Sequence, residues 1–198
     1  DLGQDRIENA ARMLDAAHRP GIELISADIF TVEHLKGCFD LIIVHDVIEH
    51  IPDKVRFFRL IREFLRPQGL VFLAFPAWQM PFGGHQQICK SKFLSHLPFY
   101  HLLPRFMYKG MLKLFGEAEN TIDELLSIKD CGLTIEGCKK YINRFNYKIH
   151  KREFYFINPH YEVKFKLKPR KLSKVIVAIP YLRNFFCTSS FWLISDDL

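Results

Sequence analysis

Four polar side chains that could transfer protons or bind a metal follow a short apolar run near the start of the chain. His45 and Asp46 come directly after residues 41–44, and Glu49 and His50 follow shortly afterwards. An imidazole titrates near neutral pH, whereas carboxylate oxygens are hard ligands that suit Mg²⁺. The pattern therefore allows either chemistry, provided that the fold places these side chains beside a ligand.

A second candidate for proton transfer is His85, which lies in the run Gly83-Gly84-His85-Gln86-Gln87. Glycines allow the backbone to approach a ligand closely, which would bring the imidazole near a reacting group. Glycines also form simple turns, in which a histidine is held by backbone carbonyl groups. Both interpretations of His85 stay open at this point, as does a role for His45 that only shapes a pocket.

The elements around these residues indicate an open α/β sheet. The apolar run at residues 39–45 predicts a strand that is covered on both faces, and a second strand is predicted at 70–75. A helix at 54–65, with Asp53 as its N-cap, lies between them. Because ligands bind beyond the carboxyl ends of parallel strands in such sheets, the polar row that begins at His45 is predicted to line a site.

Further elements follow from apolar spacing and turn residues. Helices are predicted at 5–17, at 121–129 with a capping box that starts at Thr121, and at 134–145, and strands at 23–28, 147–157 and 189–195. The segment 172–186 is ambiguous between strand and helix, and Pro180 favours a short helix with a turn.

Three parts of the chain differ in this pattern. Residues 1–76 form part of a core with alternating strands and helices, residues 77–132 lose the alternation, and residues 133–198 resume it as the C-terminal part of the core. The middle part is predicted to be a helical lid over the ligand edge. Its aromatic residues are more often the core of a lid than the lining of a substrate pocket. They are Trp78, Phe82, Phe93, Phe99, Tyr100, Phe106 and Tyr108.

Four segments, in the same order, resemble class I S-adenosylmethionine-dependent methyltransferases. Residues 39–53, FDLIIVHDVIEHIPD, are similar to the fourth strand of that family and the loop after it, where FDLI and V(L/I)EH(I/V)PD recur. Residues 1–11 resemble the end of the second strand, residues 23–29 the third strand, and residues 64–74 the turn into the fifth strand, with Gln68 replacing the usual first glycine. The rest of the chain matches only in outline.

The resemblance implies a Rossmann-like class I methyltransferase sheet of the α/β class, mostly parallel with an antiparallel last strand, plus the lid insertion. The family sheet has the strand order 3-2-1-4-5-7-6, and a glycine-rich loop after its first strand cradles the methionine part of the cofactor. The chain lacks that motif and opens on Asp1. We expect it to be the C-terminal part of a longer protein, because strand 3 would otherwise lie three strand spacings, roughly 14 Å, from strand 4.

The cofactor that the resemblance implies is S-adenosylmethionine. Asp1, with Leu2 beside it, stands where the family places the acid that accepts hydrogen bonds from the ribose hydroxyls. A carboxylate suits that task because it offers acceptors only. Asp28 corresponds to the acid that often meets the adenine amino group, and Ile29 would pack beside the ring.

His45 and Asp46 occupy the position nearest the reactive sulfonium, and they are included among the predicted cofactor-binding residues. Methyl transfer is a displacement at carbon, and alignment of nucleophile, methyl group and sulfur can supply roughly 7–11 kcal/mol. A base is needed only if the nucleophile must lose a proton. His45 and His85 are the candidate catalytic residues for that step.

The spacing of Asp46, Glu49 and His50 has a metal-binding and a structural interpretation. It is similar to the Glu-x-x-Glu-His of some ubiquinone-pathway and RNA-end O-methyltransferases, in which a divalent ion lowers the pKa of a hydroxyl. Asp46 is shorter than the usual Glu, and the Glu-His pair also occurs in family members without metal, where it orders the loop. The structural interpretation is favoured, and no metal site is predicted.

The predicted function is transfer of a methyl group from S-adenosylmethionine to a small-molecule acceptor, at an oxygen of a lipid-like, quinone-like or sugar-containing metabolite. One alternative is an RNA methyltransferase, which the basic late part of the chain favours. The lack of a dense Arg/Lys stripe interleaved with aromatic residues argues against a nucleic-acid partner. The other alternative is a non-catalytic binding protein with the methyltransferase fold.

Composition sets broad limits on the setting of this function. The chain has 198 residues and a net charge of +6, which permits peripheral contact with an acidic membrane but does not define chemistry. Its five cysteines lack CxxC spacing, which argues against a zinc site or a disulfide framework. No apolar run approaches the roughly 20 residues that span a bilayer. A cytoplasmic location is the expectation.

Overall fold

A five-stranded sheet organises the part of the chain that the computed structural model describes, residues 4–17 and 21–196. The strands are β1 (Phe39–His45), β2 (Leu65–Phe75), β3 (Tyr147–Ile157), β4 (Arg170–Lys171) and β5 (Ser189–Asp196). They lie in the order β1-β2-β5-β3-β4. Since β1 and β2 are parallel and β5 is antiparallel to both β2 and β3, the strands β1, β2 and β3 all point the same way.

This topology confirms the predicted α/β fold with an antiparallel last strand. The order β1-β2-β5-β3 corresponds to the order 4-5-7-6 that the resemblance implies. The predicted strands at 39–45 and 147–157 have the observed bounds, whereas β2 begins five residues before the predicted 70–75. Its early part forms because Leu65 already pairs with Phe39 at the start of β1.

Two predictions about the first part of the chain are wrong. Residues 23–28 form no strand, because within the described residues no strand lies beside the outer edge of β1 to receive their backbone hydrogen bonds. The prediction that β1 is covered on both faces is also wrong, because Leu41 and Ile43, which point to the same face, are 48% and 64% exposed. Asp28 instead caps the 3₁₀ helix Ile29–Thr31, with Oδ1 accepting from the Phe30 N–H at 3.0 Å.

Eight α-helices accompany the sheet in the described residues. They are α1 (Gln4–Ala16), α2 (Lys54–Phe64), α3 (Lys92–His96), α4 (Arg105–Leu114), α5 (Glu119–Cys131), α6 (Ile135–Arg144), α7 (His160–Phe165) and α8 (Lys174–Ala178). None of the helices described has the length and apolar character needed to cross a bilayer. The helical interpretation of 172–186 is confirmed by α8 and by the 3₁₀ helix Leu182–Phe185.

The N-caps of the helices follow the sequence in part. Asp53 caps α2 as predicted, since its carboxylate accepts from the Arg56 N–H at 2.8 Å. The capping box at Thr121 is wrong, because α5 begins earlier, at Glu119, with the Ile122 N–H bonded to the Ala118 carbonyl. The chain leaves α4 through the left-handed Gly116 and enters α5 almost at once.

Two separate hydrophobic clusters hold the fold together. The larger one joins the sheet to α2 and α6 and includes Phe58, Trp192 and Ile142. The smaller one lies within residues 77–132, for which we keep the name lid from their predicted role, and there Leu112 from α4 packs with residues of α5 such as Leu125. The lid therefore has a hydrophobic core of its own beside the carboxyl edge of the sheet.

Candidate active site

Asp46 lies at the point where β1 ends. Its backbone N–H still donates to the Ala74 carbonyl in β2 at 2.8 Å, and its φ of 52° turns the chain out of the strand. The His45 Nδ1 atom lies 3.2 Å from the Asp46 Oδ2 atom. Burial raises the pKa of the Asp46 carboxyl above its ordinary value, although His45, His160 and His50 oppose the shift.

A cavity of about 610 Å³ opens at this edge of the sheet. Asp46, Pro76 and Asn158, which directly follow β1, β2 and β3, all contribute to its lining. The carboxyl ends of the three strands that point the same way therefore meet at one cavity, as expected for an open α/β sheet. The lid and the segment around α7 supply further lining residues, among them Met80, Phe82, His85, Tyr161 and Phe165.

Glu49 is a buried acid on the wall of this cavity. It belongs to the 3₁₀ helix Ile48–His50 and is only 4% exposed. Neither carboxylate oxygen has a hydrogen-bond partner in the described part of the chain. Burial raises the pKa of Glu49 to about 8, and the charge of Asp46 acts in the same direction, while the residue's own backbone N–H and Lys54 oppose the shift. In this environment the carboxyl is mostly protonated at neutral pH.

Two histidines lie beside this acid. His50 and His85 meet edge to face, with ring centroids 4.8 Å apart, and the Nε2 atom of His50 lies 4.0 Å from Oε1 of Glu49. One potential ligand atom from each of Glu49, His50 and His85 lies within 4.8 Å of the other two. The structure thus brings together two histidines that are far apart in the sequence.

His85 is held in this position by an unusual backbone. Its φ of 55° is left-handed, and the preceding glycine, Gly84, packs so closely that an added Cβ would lie 2.3 Å from the Cβ of His101. Burial lowers the pKa of His85 to about 4, and His50 adds to the shift. The imidazole is therefore neutral at pH 7, so that it can accept a proton or a metal ion.

Lys54 fixes the loop that carries Glu49 and His50. Its buried ammonium donates to the carbonyl groups of Ile51 at 2.8 Å and Cys131 at 2.5 Å, which ties the start of α2 to the end of α5. Burial lowers the pKa of this ammonium. This contact orders the loop without any hydrogen bond to Glu49.

The predicted site residues fall into different places. His45 and Asp46 are adjacent at the end of β1, but Asp46 lines the cavity and His45 does not. Asp28 is an N-cap and Ile29 packs against the main hydrophobic cluster. Asp1 and Leu2 lie outside the described residues. His85 lies on the cavity wall, and its role as a base stays a prediction.

The residues that sequence reasoning missed are in α7. His160, Tyr161 and Lys164 line the cavity together with residues of the lid. Their spacing, with Phe165 after them, places polar and aromatic groups one turn apart on a short helix, which is the signal that could have indicated them. Burial raises the pKa of the Tyr161 hydroxyl, and Asp46 adds to that shift.

The lid aromatic residues agree with the core interpretation only in part, although most lie outside the cavity. Tyr100 and Tyr108 belong to the lid core, and Phe93 and Phe106 are exposed on its surface. Phe82 is the exception, because it lines the cavity.

Comparison with known proteins adds a family match to this geometry. Residues 1–73 match the family described as methyltransferase domain. An uncharacterized methyltransferase of Mycobacterium sp. strain KMS is 38% identical over 50 residues, which cover 25% of this chain and 20% of that protein. Its counterpart in Mycobacterium sp. strain JLS is 31% identical over 70 residues, 35% of this chain and 28% of that protein. The matches thus span less than a third of these relatives.

Two solved structures share the fold over nearly the whole chain. The PH0226 protein of Pyrococcus horikoshii OT3 superposes with a TM-score of 0.54 at 11% identity, covering 100% of this chain and 69% of that one. A proposed methyltransferase, BH2331 from Bacillus halodurans C-125, gives a TM-score of 0.50 at 11% identity, covering 98% and 80%. At these identities the likeness concerns the fold.

Proposed function

We propose that this chain is a class I S-adenosylmethionine-dependent methyltransferase. The match over residues 1–73 and the topology of the sheet support this proposal. The reaction is transfer of the methyl group of S-adenosylmethionine to an oxygen of a small molecule. The observation that carries the proposal is that β1, β2 and β3 all end at the same cavity.

The cofactor is proposed to bind at this edge, beside the end of β1. Beside Asp46, the exposed side chain of Val47 offers apolar surface, and Asp46 offers a half-buried carboxylate as an acceptor. Asp46 and His45 would contact the cofactor near its sulfonium, Asp28 and Ile29 near its adenine, and Asp1 with Leu2 at its ribose. Bound S-adenosylmethionine supplies an electrophilic methyl group on a positively charged sulfur.

The acceptor is proposed to occupy the cavity itself. Its volume of about 610 Å³ is in the range of small-molecule sites. Met80, Phe82 and Phe165 give it apolar walls, while Tyr161 and His85 offer polar groups. This lining supports an acceptor that has an apolar or ring-bearing body and one reactive oxygen, such as a lipid-like, quinone-like or sugar-containing metabolite.

Two measurements on the full-length protein test this function. Calorimetry with S-adenosylhomocysteine should show binding that Asp46→Asn weakens by about 10- to 100-fold, because a hydrogen bond to a charged group contributes roughly 1.5–3 kcal/mol. Asp1→Ala should weaken it as well. Asp40→Asn is the matched control, since Asp40 lies at the opposite end of β1 in an exposed ion pair with Arg66.

The second measurement identifies the acceptor. Protein incubated with S-adenosylmethionine labelled in its methyl group and with fractionated metabolites should label a small apolar product. Label that appears in RNA with strongly salt-dependent binding would replace the acceptor class with nucleic acid. No binding of S-adenosylhomocysteine by the full-length protein would refute the function.

A further inference from the structure

We propose that Glu49, His50 and His85 bind one divalent transition-metal ion at the wall of the cavity. This inference reverses the expectation from the sequence, where the Glu-His pair was assigned a role in ordering the loop. It rests on the geometry of the cluster, on the burial of Glu49 and on the positioning of His85.

The geometry is close to that of a coordination shell. One ligand atom from each residue lies within 4.8 Å of the other two, so that a common centre exists no more than about 2.8 Å from all three. Metal–nitrogen and metal–oxygen bonds are roughly 2.0–2.2 Å long. Each ligand atom would need to move by less than about 1 Å, which rotation of side chains can supply.

The second observation is the state of Glu49. The residue is 4% exposed, and both of its carboxylate oxygens lack a hydrogen-bond partner in the described chain. A buried polar group without a partner carries a desolvation cost, and buried charges in proteins are usually paired or coordinate metals. Lys54, a buried cation whose charge acts on Glu49, directs its ammonium to two backbone carbonyls and forms no ion pair with Glu49 among the contacts described. A metal ion would give the carboxylate the partner it lacks.

The loop that carries His85 is fixed before any ligand arrives. An added Cβ at Gly84 would lie 2.3 Å from His101, and one at Gly83 would lie 2.2 Å from the Trp78 carbonyl oxygen. Gln86, fully buried, donates to the Pro81 carbonyl at 2.8 Å. These contacts fix the backbone on both sides of His85, so that the fold of the lid sets the position of the imidazole.

The ligand set selects the class of metal. Two imidazoles and one carboxylate suit Zn²⁺, Mn²⁺, Fe²⁺ or Co²⁺ better than Mg²⁺, which prefers oxygen ligands. Asp46 lies outside the three-residue cluster and is paired with His45 at 3.2 Å. The site therefore differs from the Asp-x-x-Glu-His pattern in the sequence, since its third ligand comes from the lid.

The ion would face the cavity, because both Glu49 and His85 line it. Three protein ligands leave at least one coordination position for an oxygen from solvent or substrate. If the proposed methyl-transfer function holds, that position is where the acceptor oxygen would bind and lose its proton more readily. Binding of the ion itself does not depend on that function.

The test measures metal directly on the purified full-length protein. After removal of metals with a chelator and dialysis, titration with Zn²⁺, Mn²⁺ and Co²⁺ should show one ion per chain, and Co²⁺ should give a visible absorption spectrum. Glu49→Gln and His85→Asn should each lower the affinity at least about tenfold. Asn is chosen at position 85 because it tolerates the left-handed backbone.

His96→Gln is the matched control, because His96 lines the same cavity outside the cluster, and its metal affinity should equal that of the unchanged protein. Thermal unfolding with and without Mn²⁺ separates loss of the site from loss of the fold, since a folded variant without the site keeps its own melting temperature when metal is added. Equal affinity in the Glu49 and His85 variants and the unchanged protein, or no saturable binding to the unchanged protein, overturns the site. Metal binding without methyl transfer would leave this site standing and defeat the proposed function.

Discussion

At the scale of single residues, Glu49 and His85 lie in one cluster with pKa values shifted in opposite directions. Burial raises the pKa of Glu49 to about 8 and lowers that of His85 to about 4. Both groups are therefore mostly uncharged at neutral pH when no ion is bound. A neutral His85 is also a weaker base than a free imidazole, so that the cluster suits ligand binding better than proton abstraction by His85 alone.

These shifts predict how stability depends on pH. A raised acid pKa means that the folded state holds a proton the unfolded state has lost, so the Glu49 contribution is present below pH 4.5 and is lost as the pH rises to about 8. The pKa values of His85 and His101 are both lowered to about 4. These two groups therefore make the folded state more stable as the pH rises, but only up to about pH 6.5. Above that pH the Glu49 effect has no counterpart from these two histidines.

We expect the free energy of unfolding of the metal-free protein to fall from pH 6.5 to 8, relative to Glu49→Gln, by up to about 1.4 kcal/mol per pH unit, with a slope that decreases as the pH approaches the pKa of about 8. Urea denaturation in the presence of a chelator measures it. Glu63→Gln, which removes an exposed acid paired with Lys36, should keep the slope of the unchanged protein. Parallel pH profiles for Glu49→Gln and the unchanged protein would show that Glu49 is ionised in the folded state.

At the scale of elements, the site depends on a turn in the lid and a loop after β1 that meet in space. Gly84 makes the turn possible, because His101 occupies the space of a side chain at that position. His101 is itself fixed by two hydrogen bonds. Its Nε2 atom bonds the Trp78 carbonyl at 2.9 Å, and the Lys129 ammonium donates to the backbone carbonyl of His101 at 2.7 Å. The turn therefore cannot relax without disturbing α5.

Gly84→Ala should lower the free energy of unfolding by about 1–3 kcal/mol, as overpacking does, and should displace His85. Gly110→Ala is the matched control, because Gly110 lies in α4 with no atom within 4 Å of an added Cβ. That change should raise stability by about 0.5–1 kcal/mol through helix propensity. Chemical denaturation measures both, and equal effects of the two changes would contradict the packing argument.

Some of these elements follow from the sequence, and others do not. The alternation in Tyr147–Ile157 and the capping residue Asp53 are local signals, and both were predicted with their observed bounds or role. The open edge of β1 depends on which strands lie beside it, which local patterns do not record. The meeting of His50 and His85 depends on the path of the lid, so that no spacing in the sequence contains it.

At the scale of the whole molecule, the described chain has two hydrophobic clusters, one under the sheet and one in the lid. The ends of β1, β2 and β3, which belong to the sheet, line one side of the proposed site. His85 comes from the lid, where Gly84 packs against His101. The stability of the lid is thus a condition for the site, although the lid contributes nothing to the sheet ladder.

Leu112→Ala should destabilise the lid by about 2–5 kcal/mol, because Leu112 is fully buried in the lid cluster. Hydrogen exchange should then rise in α4 and α5 and change little in β2 and β5, since regions of a protein can open separately. Leu114→Ala, two residues along the same helix and 83% exposed, should have no measurable effect. A uniform rise over the sheet and the lid would mean that the two clusters unfold as one unit.

The left-handed backbone of Asp46 and His85 has a consequence for how this protein could change over evolution or in engineering. Both residues have φ near +55°, a conformation that glycine adopts without strain and that costs other residues roughly 1–2 kcal/mol. Selection for thermostability alone would favour glycine at both positions. Homologues that keep an acid and an imidazole there would therefore be those still under selection for the site, and homologues with glycine at both would mark lineages that kept the fold after losing the chemistry.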